Sequence, residues 1–167
     1  MPDQRDELVA RLVEALQRTG LGAISIRRLA QEAGTSQRML IHHFGSSAAA
    51  LVAVVESIET AQVEALASLP DDPAAALQEA WTRLSRPELW PAIRLFFECY
   101  ARGAQGEEPF THLVARDRDR WQRGSSGDPI AASLGRVIIR GLLLELVATG
   151  DRASAEAQFD HLVKLLK

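Results

Sequence analysis

Between Ser25 and Phe44 the chain reads SIRRLAQEAGTSQRMLIHHF. Its second half, Ser36 to His43, carries Gln37, Arg38, His42 and His43 and no carboxylate. Amide, guanidinium and imidazole groups donate hydrogen bonds to phosphate oxygens and to the base edges of a major groove. Freedom from acids suits approach to a polyanion, whereas an ordinary solvated face would mix in Lys and Glu. At about 100° per residue on a helix, Leu40 and Phe44 share one direction and Arg38 and His42 the opposite one. Met39 and Ile41 fall on the flanks, with His43 between.

Other chemistries find less support. The chain shows no Gly-rich phosphate loop, no nucleophile elbow and no metal-ligand spacing, so no catalytic residue, metal or cofactor is assigned and an enzyme is not expected. His42 and His43 diverge by about 100° on a helix, with no further ligand one turn away, so they do not converge on one ion. The single cysteine, Cys99, excludes an internal disulfide framework. On an apolar helix it reads as a small buried residue.

The 167 residues, 47% hydrophobic and 25% charged, have the composition of a globular protein. A net charge of −3 does not advertise a polyanion partner, but it is unevenly spread. Residues 1–47 hold six basic and five acidic groups, a formal +1, and the remaining 120 hold thirteen and seventeen, or −4. No basic segment followed by an apolar run opens the sequence. The most apolar stretch, Ile130 to Ala148, is interrupted by Arg136, Arg140 and Glu145, which makes a membrane span costly. A cytoplasmic protein with no membrane partner is the expectation.

The elements that must position the polar face are helices. Leu8, Leu12 and Leu16, with Val9 and Val13 beside them, recur at helical spacing from about Asp3 to Thr19. Ser25 is an N-cap for a helix to about Ala33, Gly34 supplies a left-handed turn, and Ser36 caps a third helix through His43. Ala30, Gly34 and Leu40 meet the demands of a helix-turn-helix for a small contact residue, a flexible turn and apolar packing. On those three residues alone a plain αα-hairpin fits equally well.

A long helix is expected from Ser46 to about Leu69, and Asp72-Pro73 starts another to about Arg86. A strongly apolar helix follows over Ile93–Arg102 and another helix from Phe110 to about Arg123; GSSGD (124–128) is a connector, and Asp128-Pro129 repeats the cap-plus-proline start. No convincing strand appears. The expected fold is all-α, with a three-helix head over residues 1–46 and a helical ligand-binding and dimerisation body over 47–167.

Residues 24–56, ISIRRLAQEAGTSQRMLIHHFGSSAAALVAVVE, resemble the DNA-binding head of the tetracycline-repressor (TetR) family. The matching positions are Ser25, Ile26, Leu29-Ala30, Ala33-Gly34, Ser36, Leu40, His43-Phe44-Gly45-Ser46 and Leu51. The resemblance implies that the helix from Ser36 to His43 enters the major groove of an operator. The residues expected at the DNA are Ser25, Arg27, Arg28, Thr35, Ser36, Gln37, Arg38, Met39, Ile41, His42, His43 and Ser47. Three positions depart from the family pattern: Ile41 stands where an aromatic, most often a phosphate-contacting Tyr, is usual, Ser47 where a phosphate-anchoring Lys is usual, and Ala48 where a Glu or Asp commonly follows. Two missing phosphate contacts weaken non-specific affinity and flatten its salt dependence.

Seven of the nine aromatic residues fall between Trp81 and Trp121. They read either as core or as the wall of a mainly apolar pocket. The resemblance favours a pocket for a small effector drawn from Trp81, Trp90, Arg94, Phe97, Glu98, Tyr100, Phe110 and Trp121. The last two helices, Ile130–Ala148 and the one bearing Ala155, Phe159 and Val163, are apolar enough to need further covering. Ordinary core is one solution. The resemblance implies the other, a homodimeric four-helix bundle using Leu134, Ile138, Leu142, Phe159, Leu162 and Leu166. Together these features point to a ligand-responsive regulator, a repressor that binds a palindromic operator as a homodimer and leaves it on binding effector. The alternative is a helical small-molecule-binding or interaction protein that has lost DNA affinity.

Overall fold

In the computed structural model, the described residues are 4–19, 25–66, 68–70, 72–116 and 129–165. They form helices and turns and no strand. Helix α1, Gln4–Thr19, buries Leu8, Val9, Leu12, Ala15 and Leu16, the stripe that its periodicity demands. Asp6 and Glu7 lie in its first turn, at the positive end of the helix dipole. Helix α2, Ile26–Glu32, starts on Ser25, whose hydroxyl accepts from the Arg28 amide at 3.3 Å. It ends in paired bonds, Thr35 N–H to the Ala30 carbonyl at 2.9 Å and Gly34 N–H to that of Gln31 at 3.0 Å. This closure requires a left-handed residue, and Gly34 at φ 69° supplies it.

Helix α3, Gln37–Phe44, is followed after a 76° bend by α4, Ser47–Leu66. Gly45 at φ 82° makes the corner, and the Ser46 hydroxyl caps α4 by accepting from the Ala49 amide at 3.0 Å. The expected extension of α4 to Leu69 gives way to a turn, because Pro70 disfavours helical backbone at Leu69. Helix α5, Pro73–Leu84, begins on the Asp72 carboxylate, which accepts from the Ala75 amide at 2.8 Å. It stops short of Arg86, whose extended backbone (ψ 136°) is what Pro87 imposes. A 3-10 turn, Pro87–Leu89, leads into α6, Trp90–Ala104. Residues 110–116 are helical (α7), followed by α8, Pro129–Thr149, and α9, Arg152–Leu165. The expected continuation of α7 to Arg123 and the GSSGD connector lie outside the described residues.

Two apolar cores result. One joins α1 to α4 with Ala92, Leu95 and Cys99 of α6 and with Phe110 and Leu113 of α7. The other joins α5, α8 and α9 with Leu66 and with Ile93 of α6. Helix α6 therefore contributes a face to each. Gly103 permits the close approach of α6 and α7: a Cβ there would stand 2.5 Å from the Phe110 carbonyl oxygen. Across the middle, Glu59 of α4, 4% exposed, meets Arg140 of α8 at 3.2 Å, and the guanidinium lies 4.5 Å from the centre of the Phe96 ring.

Candidate nucleic-acid interface

Helix α3 is held at both ends and along its inner side. Ser36 accepts from the Met39 amide at 3.2 Å, and the Gly45 amide donates to the Ile41 carbonyl at 2.8 Å. Leu40 and Phe44 are buried against α1 and α4, and Arg5 lies over the Phe44 ring at 5.1 Å. Eight residues would be marginal as an isolated helix; caps and a buried face make this one a fixed platform. Arg18 reaches across from α1 to the Glu32 carbonyl at 2.9 Å, fastening α1 to the C-terminal end of α2.

The outer side carries the polar residues that the spacing places there. Arg38 and His42 are exposed, as are Arg27 and Arg28 on α2 and the Ser25 and Ser36 caps. Among the described residues, none of Arg27, Arg28 and Arg38 forms an ion pair, so all three cations are available to phosphates. Met39 and Ile41 are 42% and 46% exposed. Thr35 and His43 are half-buried, and the two imidazoles meet edge to face at 5.2 Å. One pair is partly spent inside the protein: the Gln37 side-chain amide donates to the Ser47 hydroxyl at 3.1 Å, tying the start of α3 to the start of α4. Two residues expected at the DNA are thus joined to each other.

Residues 8–54 match the model of the bacterial regulatory proteins of the tetR family. The head, α1 to the start of α4, is similar to that family's model. No curated protein matches the sequence. Solved structures match nearly the whole chain at low identity. A transcriptional regulator from Rhodococcus sp. RHA1 superposes with a TM-score of 0.73 at 19% identity, covering 98% of this chain and 95% of its own. A TetR-family regulator from Pectobacterium atrosepticum gives 0.67 at 22% identity, covering 97% and 91%. The multidrug-binding protein EbrR, solved with imidazole, gives 0.63 at 19% identity, covering 99% and 90%. At such identities the likeness concerns the fold.

The residues expected around an effector are dispersed. Trp81 is buried and stacks on Phe159 at 5.1 Å in the second core, whereas Phe110 is fully buried in the first, under Arg102 at 4.1 Å. The Trp90 indole donates to the Ser85 carbonyl at 3.1 Å. Arg94 donates to the Val147 carbonyl at 2.9 and 3.2 Å, closing the C-terminal end of α8. Phe97 and Tyr100 are half-buried on either side of Phe96, Glu98 is exposed, and Trp121 lies outside the described residues. An open cleft of about 620 Å³ lies elsewhere, between α1, α4 and the corner from α5 to the 3-10 turn. Val13, Ile58, Leu66, Leu84 and Leu89 supply its apolar surface, and Gln17, Gln62 and Arg86 its polar edge. Nothing contiguous in the sequence announces it.

The expected interface residues divide similarly. Leu142 and Phe159 are buried in the chain's own second core, Ile138 and Leu162 are half-buried, Leu134 is exposed and Leu166 lies outside the described residues. The exposed face of α8 is instead Ile130, Leu134, Val137 and Leu144, between 48% and 70% accessible. Their steps of four, three and seven residues are divided at Gly141 into a seven-residue repeat. That repeat was readable in the sequence.

Proposed function

We propose that the chain is an effector-responsive repressor that binds a palindromic operator as a homodimer. The observation that carries this reading is α3: a capped, acid-free helix showing Arg38 and His42 outward, with three unpaired arginines on α2 and α3. The exposed α8 repeat supports the dimer, because a second copy of the same stripe covers it about a two-fold axis. Two heads on one symmetric body read two half-sites about one or more helical turns apart. The cleft beside α1 and α4 falls within the volume range of small-molecule sites, about 300–1,000 Å³. An occupant there would touch both α1 and the α5 corner, and so favour one placement of the head over another. It shifts DNA affinity only by its differential binding to the two.

A titration of labelled upstream DNA by fluorescence anisotropy tests the reading. Tight, sequence-selective and salt-sensitive binding is expected. Arg38→Ala should cost about 1–3 kcal/mol on the specific site if the guanidinium reads a base, and the same on every sequence if it grips phosphate. Absence of selective binding at low salt would favour a second reading, an interaction protein without DNA function. Ile41 and Ser47 motivate that one, since Ile41 has no hydroxyl to offer a phosphate and Ser47 has no ammonium charge.

A further inference from the structure

Seven large hydrophobic side chains are exposed among the described residues. Four form the α8 repeat and Leu165 lies near the end of α9; the other two, Met39 and Ile41, stand on the eight-residue helix that carries Arg38 and His42. At about 100° per residue, each lies about 80° from the direction shared by Arg38 and His42, one on either side. The outward face of α3 is therefore a cationic and imidazole centre between two apolar flanks. A major-groove edge offers one apolar feature, the 5-methyl group of thymine; cytosine presents an amino donor at its edge instead. No carboxylate on α3 is present to accept from that donor. Ile is stiff at its branched carbon and Met is flexible and polarisable, so the two flanks suit a shape-fixed and an adaptable methyl contact.

We propose that Met39 and Ile41 read thymine 5-methyl groups, so that each operator half-site carries T·A pairs on both sides of the bases facing Arg38 and His42. This deepens the reading of the head as a DNA binder and rests on it. The apolar flanks discriminate thymine from cytosine by methyl burial on one hand and by an unsatisfied amino group on the other.

The test uses the full-length protein. Sites are first selected from a random duplex pool. Each selected thymine is then replaced by uracil, which removes only the methyl, and Kd is measured by anisotropy. Uracil at two positions in a half-site should each weaken binding about fourfold, the worth of one buried methyl. Met39→Ala should abolish the loss at one of these positions and Ile41→Ala at the other, with circular dichroism showing both variants helical. The scan on the unmutated protein stands without the variants. Selective binding that is indifferent to uracil at every thymine would overturn the proposal and leave the DNA-binding reading intact. A pool that yields no enriched sequence would remove both, and the two failures are thereby distinct.

Discussion

At the scale of single residues, the same side-chain type takes opposite roles according to what faces it. Arg27, Arg28 and Arg38 point to solvent without carboxylate partners, whereas Arg18 and Arg94 are committed to carbonyls at helix ends. Spacing alone separated Arg38 on α3, because a helix with two inward apolar residues has only one outward side. Arg94 was expected at a ligand, and no periodicity shows that a guanidinium will close another helix 53 positions away. Cys99 is fully buried, and burial, with the nearby Glu98 charge, pushes its thiol up to about 12 from the ordinary 9.0. The folded chain thus keeps a proton that the unfolded chain releases above pH 9, so this group's contribution to stability is lost as pH rises from 9 to 12. Thiol reagent at pH 8 should react with the folded protein no faster than it unfolds. Replacement by Ala should remove the part of the alkaline fall in urea midpoint that this thiol causes. Rapid labelling of folded protein would contradict the burial argument.

At the scale of elements, caps and breakers were legible and partners were not. Ser25, Ser36 and Asp72 each accept the amide expected of an N-cap, and Gly34 makes its left-handed turn. Helix ends shifted by two or three residues where a proline constrained the residue before it. The face of α8 was harder, since that helix is apolar nearly all round and periodicity cannot say which side its own chain covers. Gly141 helps decide: it lies mid-helix, where glycine costs about 1 kcal/mol relative to Ala, and a Cβ there meets nothing within 4 Å among the described residues. Under the proposed dimer, the α8 of a second copy fills that space. Leu134→Glu and Gly141→Val are expected to yield folded monomers by light scattering, whereas Phe159→Ala, which breaks the stack on Trp81, should lower thermal stability without being selective for the dimer. Unchanged mass in both α8 variants would refute this interface.

At the scale of the whole molecule, α4 and α6 join the head to the rest. Helix α4 begins at the Gln37–Ser47 bond and reaches the second core at Leu66, while α6 adds a face to each core. The ion pair of Glu59 and Arg140 crosses between them beside Phe96. Removing one partner of a buried pair leaves the other charge desolvated, which costs about 3–5 kcal/mol; Arg140 makes further interactions, so the lower end applies. Glu59→Ala should therefore lower urea stability by about 3 kcal/mol. A loss below about 0.5 kcal/mol would mean that the pair behaves as an exposed one.

The sequence by itself determined the helical fold, the cap positions, the polar face of α3 and the likeness of the head to a known family, because each is written in residues a few positions apart. Only tertiary structure decided what covers what. Leu142 went to the chain's own core and Leu134 to the surface, the aromatics were divided between two cores, and a cleft opened between α1, α4 and the α5 corner. Those outcomes depend on how helices distant in sequence pack, and packing is set by the shapes of both surfaces at once. The polar face of α3 keeps its outward direction in the fold, and the structure leaves the two apolar flanks beside it, Met39 and Ile41, exposed.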